Sequence, residues 1–152
     1  MQKTKGFERS NGQTMGVDAA EGAAHRFVIR VFYEDTDMAG IVYHANYLKF
    51  IERARSDWVA ELGIDQREML ARGEAFAVHR IEAEFRAPAR FDDRLEVLSV
   101  PCEATAARLV LDQRVMRGDA CLFAARVTLV CMGPGGRPRR LPPVLAGLAP
   151  AA

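Results

Sequence analysis

No apolar run in this sequence approaches the roughly 18 residues that a membrane-spanning helix requires, so a transmembrane segment is excluded. The first residues carry Lys3, Lys5 and Arg9 but continue through Ser, Asn, Gly, Gln and Asp, without the apolar core of a secretory signal. Cysteine is scarce: Cys102, Cys121 and Cys131 form an odd set with no CxxC pair, each among apolar, strand-like residues. That excludes a disulfide framework and predicts buried, reduced thiols in a cytoplasmic setting. His25, His44 and His79 share no metal-ligand spacing with one another or with the cysteines, so no metal and no other cofactor is expected. Charge of one sign is also missing. The 21 Lys and Arg nearly cancel the 20 Asp and Glu, and a net +1 gives no broad field for nucleic acid or an anionic membrane. A polyanionic ligand has to be met by a local cluster.

What is present is the material for one core: 152 residues, 49% hydrophobic and 27% charged. Residues 1–24 hold almost no large apolar side chains and read as a flexible leader; residues 144–152 read as a flexible tail, leaving 25–143 as the domain. From Phe27 to Tyr33, β-branched and aromatic residues mark a first strand. A helix is expected from Asn46, a good N-cap, to Leu62 before Gly63, which suits the left-handed position after a helix. Tyr47, Ile51, Ala54, Trp58 and Leu62 form its apolar stripe, and Leu48, Phe50 and Val59 widen it, so the helix should be largely wrapped. Arg53 and Arg55 read most simply as a charged face. Asp65 and Glu68, at capping-box spacing, open a short second helix that stops at Gly73.

Beyond Phe76 the period changes to two. His79, Ile81, Ala83 and Phe85 alternate with Arg80, Glu82, Glu84 and Arg86, the pattern of a half-buried strand that Pro88 ends. Further strands are expected over 94–104, 108–117 and 120–132, the last two joined by the two-residue turn Gly118-Asp119. One strand, a long apolar helix and four antiparallel strands describe an α+β layer: a five-stranded antiparallel sheet wrapped around one central helix, the hot-dog arrangement. A single small sheet leaves edges and an outer face to cover, which predicts a homo-oligomer, dimer or tetramer.

The segment from Tyr33 to Tyr47 lies between the first strand and the start of the buried helix. A helix N-terminus carries unpaired N–H groups and partial positive charge, so it can polarise a carbonyl oxygen, while a carboxylate just upstream acts on the carbonyl carbon or on water. Asp35 and Asp37 both qualify, and position alone does not choose between them. The run Tyr33-x-x-x-Asp37, the block Gly40-Ile-Val-Tyr-His-x-Asn-Tyr and the ending Glu52-Arg-Ala-Arg resemble the YbgC-type acyl-CoA thioesterases, close relatives of the 4-hydroxybenzoyl-CoA thioesterases. A weaker match through Arg86-Ala-Pro-Ala-Arg90-Phe-Asp-Asp extends the resemblance over about residues 26–143.

The resemblance implies hydrolysis of short- to medium-chain or aromatic acyl-CoA, a place in lipid metabolism and paired subunits, often tetramers. It makes Asp37 the base or nucleophile, sets Tyr33 and His44 beside the thioester, and turns the backbone N–H near His44 toward the carbonyl oxygen. Gly40, Val42, Tyr43, Asn46 and Glu52 are the candidate walls of the substrate site. Arg86 and Arg90, with Arg137, Arg139 and Arg140, are candidates for coenzyme A phosphates. Two other functions are weighed: a binding partner of acyl carrier protein or of an envelope-associated, Tol-Pal-linked component, and a hot-dog hydratase or dehydratase using His44 with Glu52. Acyl carrier protein is also a second candidate source of substrate.

Overall fold

The strand-forming run at the start of the domain ends earlier than its composition suggests, and the reason is one carboxylate. In the computed structural model, which describes residues 24–148, strand β1 spans His25–Arg30. The Phe32 amide then donates to Asp35 Oδ2 at 2.8 Å, and Tyr33–Asp35 closes into a 3₁₀ turn. Tyr33 therefore sits in the turn that leads to the site and not on the strand. The expected leader lies outside the described residues except Ala24.

Helix α1 covers Asn46–Glu61, and Gly63 takes the left-handed conformation after it with φ +83. Asn46 is not the cap: Ala45 holds that position, and the Asn46 Nδ2 reaches back to the Asp35 carbonyl at 2.9 Å. The stripe Tyr47, Phe50, Ile51, Ala54, Trp58 and Val59 is buried against the sheet, whereas Leu48, Lys49, Glu52 and Arg53 are exposed. Within one chain the sheet covers α1 on one side only. The expected charged face is also divided, because Arg55 is buried. Its Nη1 donates to Gln113 Oε1 at 2.9 Å, and Gln113 Nε2 donates to Ser99 Oγ and to the Ile51 carbonyl. Burial lowers the Arg55 pKa, with Glu52 pulling the other way. Helix α2, Gln66–Ala71, starts at Asp65, whose Oδ1 accepts from the Arg67 and Glu68 amides.

Strands β2 (Ala75–Phe85), β3 (Arg94–Ala104), β4 (Leu109–Arg117) and β5 (Ala120–Met132) join β1 in the order β1-β3-β4-β5-β2, all antiparallel. Gly118, at φ +57, makes the β4–β5 turn. A sixth strand not foreseen, β6 (Pro138–Arg139), pairs with the end of β5. The architecture is the α+β hot-dog arrangement, with this short strand added to the expected five.

Strand β2 departs from the half-buried expectation. It is an edge strand, and of its inward side chains Ile81 is only partly covered while Val78 and Phe85 are 45% and 52% exposed. The register shift between Val78 and Arg80 makes His79 a bulge residue, which breaks the alternation that grouped it with Ile81. At the other end, Leu141 and Leu145 enter the core, Leu145 from helix α3 (Pro143–Ala146). The described part of the expected tail is thus anchored to the core through the buried Leu145 side chain. No disulfide forms: Cys131 is buried, but Cys102 and Cys121 are only partly so, short of full burial. No helix among the described residues is long and apolar enough to cross a membrane.

Candidate active site

The two loop aspartates are set apart by their hydrogen bonds. Asp35 is 8% exposed; its carboxylate accepts from the Phe32 amide, and its carbonyl accepts from the Tyr43 amide and the Asn46 side chain. It holds the loop to the start of α1. Asp37 is exposed at the first position of a tight turn in which its amide donates to the Ile41 carbonyl at 2.9 Å and its carbonyl accepts from Gly40 at 3.0 Å. Gly40 adopts φ +77 there, which explains glycine at that position. One Asp37 oxygen, Oδ1, accepts from the Ala39 amide at 2.9 Å.

The returning arm of this turn is fastened from two sides. Val42 bridges Thr36, Ile41 bridges Arg90, and the Val42 amide donates to the Ala89 carbonyl at 2.8 Å. His44, exposed just before α1, stacks obliquely on Tyr43 with centroids 4.5 Å apart and meets the edge of Phe85 at 6.2 Å. Tyr33 is 84% exposed, and among the described residues no hydrogen bond links Asp37 to Tyr33 or His44. Of the wall candidates, Val42 is buried, Gly40 and Tyr43 are exposed, and Asn46 is engaged with Asp35. Glu52 accepts from Ser56 Oγ at 2.7 Å on the exposed side of α1. His44 lies before α1, whereas Glu52 is bonded to Ser56 within the helix, and among the described residues no hydrogen bond joins the two.

The arginine candidates do not form one cluster. The Arg86 amide pairs with the Leu122 carbonyl near the start of β5, whereas Arg139 pairs with Cys131 near its end. Nine strand residues separate these points, roughly 30 Å. Arg86 Nε also donates to Glu84 at 3.1 Å. Arg90 alone is adjacent to the site loop through the bridge to Ile41.

The model of the thioesterase-like superfamily matches residues 31–148, the span that runs from the end of β1 through the last helix. The chain belongs to the thioesterase-like superfamily. As a member of the thioesterase-like superfamily it is a thioester hydrolase. It is 40% identical over 119 residues to the acyl-CoA thioester hydrolase YbgC of Escherichia coli O157:H7, covering 77% of this chain and 89% of that one. Among solved structures it resembles a probable thioesterase from Bartonella henselae, with TM-score 0.74, 35% identity, and 78% and 99% of the two chains covered. It also resembles a 1,4-dihydroxy-2-naphthoyl-CoA thioesterase from Synechocystis, with TM-score 0.73, 26% identity, and 80% and 91% covered.

Reading of the sequence missed two groupings that this member of the superfamily brings together. The Tyr47 hydroxyl accepts from the Ala89 amide at 3.0 Å inside the aromatic cluster of Phe50, Phe85 and Phe123; the partner is 42 residues away on another loop, and an apolar stripe gives no hint of it. His25 Nε2 lies 2.7 Å from Asp57 Oδ2 and 3.7 Å from Glu61 Oε2. Asp57 and Glu61 share a helix face at i and i+4, the one signal in the sequence. Three such ligand atoms within 4.8 Å are spaced as a metal site would be. The His25 Nδ1, however, is buried with no partner among the described residues. A metal on Nε2 would force the proton onto that nitrogen, where nothing accepts it. With the proton on Nε2 the group is a hydrogen-bonded tie of β1 to α1.

Proposed function

We propose that this enzyme hydrolyses acyl-CoA thioesters, with Asp37 as the general base or nucleophile and the start of α1 as the oxyanion site. The observation that carries the reading is the contrast between a buried, engaged Asp35 and an exposed Asp37 immediately upstream of a helix N-terminus. Negative charge developing on the thioester oxygen is met by the helix-end amides, and the thiolate leaves without much acid assistance. Asp37 either deprotonates the attacking water or adds to the carbonyl and is freed by water; both routes convert thioester and water to a carboxylic acid and a thiol. Tyr33 and His44 flank the thioester. Gly40, Val42, Tyr43 and Asn46 shape the approach, Glu52 lines its outer part, and Arg90, beside the site loop, faces the phosphates. The names of the relatives support coenzyme A thioesters, with both aliphatic and aromatic acyl groups in range.

A second copy of the chain belongs to this reading. Among the described residues the outer edge of β2 has no neighbouring strand, and Val78 and Phe85 on that strand are exposed. Pairing of β2 with a second β2 covers that edge. The thiols fit residence in the cytoplasm.

The test is a thiol-release screen over acyl-CoA chain lengths and aromatic acyl-CoA, repeated with acyl carrier protein as the thiol, on wild type beside Asp37→Asn. The variant is expected to stay folded and to lose at least about a hundredfold in turnover. Full activity in the folded variant refutes the assignment.

A further inference from the structure

Besides the Asp35 contacts, the turn that carries Asp37 is tied to the start of α1 through the two backbone groups of one residue in a distant loop. Ala89, fully buried, donates its N–H to the Tyr47 hydroxyl at 3.0 Å and accepts from the Val42 amide at 2.8 Å. Val42 in turn bridges Thr36, the residue before Asp37, while Tyr47 is the second residue of α1 and 3% exposed. The ring of Tyr47 cannot drift: it stacks on Phe123 at 5.1 Å and 12° and meets Phe50 and Phe85 edge-on. The loop itself is anchored from behind by Arg117, which donates to the Pro88 carbonyl at 3.2 Å and to Asp93 at 2.8 Å, and the Arg90 amide donates to Asp93 as well.

We propose that the Tyr47 hydroxyl is a positioning residue for hydrolysis, setting Asp37 against the helix end through Ala89 and Val42. The proposal rests on the reading of Asp37 given above. Tyr47 touches no substrate in this scheme. Removing its oxygen leaves the Ala89 amide without its acceptor in a buried place, and the two backbone bonds that locate the turn then loosen together. Burial raises the Tyr47 pKa, opposed by the Ala89 bond and the Arg117 charge.

The experiment is Tyr47→Phe in the full chain, with Leu109→Ala as a control that opens a fully buried core position outside the tether. Tyr47→Phe is expected to lower kcat at least about tenfold with KM within about twofold, because a small displacement of a reacting group acts on the chemical step. Leu109→Ala is expected to lower the melting temperature and keep kcat. A kcat for Tyr47→Phe above one-tenth of wild type, or a similar loss in the control, overturns the proposal. In an Asp37→Asn background, Tyr47→Phe should change the residual rate by less than about twofold; a full repeat of its effect means that Tyr47 acts elsewhere and also overturns it. If Asp37→Asn alone turns over at the wild-type rate, the reading of the site fails and the tether is judged separately, by whether the Ala89 and Val42 amides exchange faster in Tyr47→Phe. Should Tyr47→Phe not fold, Arg117→Gln loosens the same loop from the surface, and unchanged kcat there overturns the proposal.

Discussion

Midway along α1, Arg55 is buried against Gln113 and Ser99; at the start of the same helix, Tyr47 is buried against the amide of Ala89. Both place polar atoms between helix and sheet, where an unpaired group is costly, and both satisfy them. The first network binds helix to sheet through side chains, and nothing reactive is attached to it. The second ends on backbone groups of loops, one of which carries Asp37. A polar contact under a helix thus stabilises the fold in one place and places a reacting group in another, depending on whether its partners lie in the rigid sheet or in a loop.

The largest expected effect comes from breaking the first network. Gln113→Ala removes the acceptor of a buried guanidinium and should cost about 3 kcal/mol in urea unfolding, with kcat of the folded enzyme unchanged within about twofold. Comparable losses in stability and kcat would erase the distinction between the two networks. Replacing both partners, Arg55→Met with Gln113→Leu, should cost less than Gln113→Ala alone, about 1 kcal/mol, since no charge or amide is then left unpaired. A double variant less stable than the single one would mean that packing, not pairing, decides this site.

At the helix start the expected effects on stability are smaller. Arg117→Gln removes a partly exposed ion pair and should cost about 0.5 kcal/mol at neutral pH. Burial raises the Asp93 pKa, but the Arg90 amide and the Arg117 guanidinium outweigh it and hold the carboxyl below its usual range. A depressed folded-state value means that the stabilisation is present above the unfolded value, about 3.9, and is lost as pH falls through the folded value. The difference between wild type and Arg117→Gln should therefore shrink in urea titrations as the pH is taken down through that range. A difference that grows on acidification contradicts the pairing. The smallest perturbation concerns the β2 edge: Val78→Lys, at a side chain 45% exposed, should shift sedimentation of the enzyme toward monomer if a second copy pairs there, and leave it unchanged if the copies meet elsewhere.

The local features were legible because their causes are local. Gly118 in the hairpin and Gly63 after α1 each need only neighbouring residues to be understood. Arg55 was read as exposed because a charged residue on a helix usually is, and its partner lies 58 residues away. Strand β2 carries a half-buried pattern, yet the single chain leaves it at an edge, since burial depends on a neighbour that its own sequence does not supply.

By itself the sequence determined the order of the elements, the loop that bears the acids and the resemblance that chose Asp37. Only the tertiary structure separated the two aspartates by their bonds, divided the arginines between opposite ends of β5, and joined Tyr47 to the site loop through Ala89. The physical reason is range. Propensity and periodicity act over a few residues, whereas hydrogen bonding inside a core is decided by which distant groups are left facing one another when the chain closes.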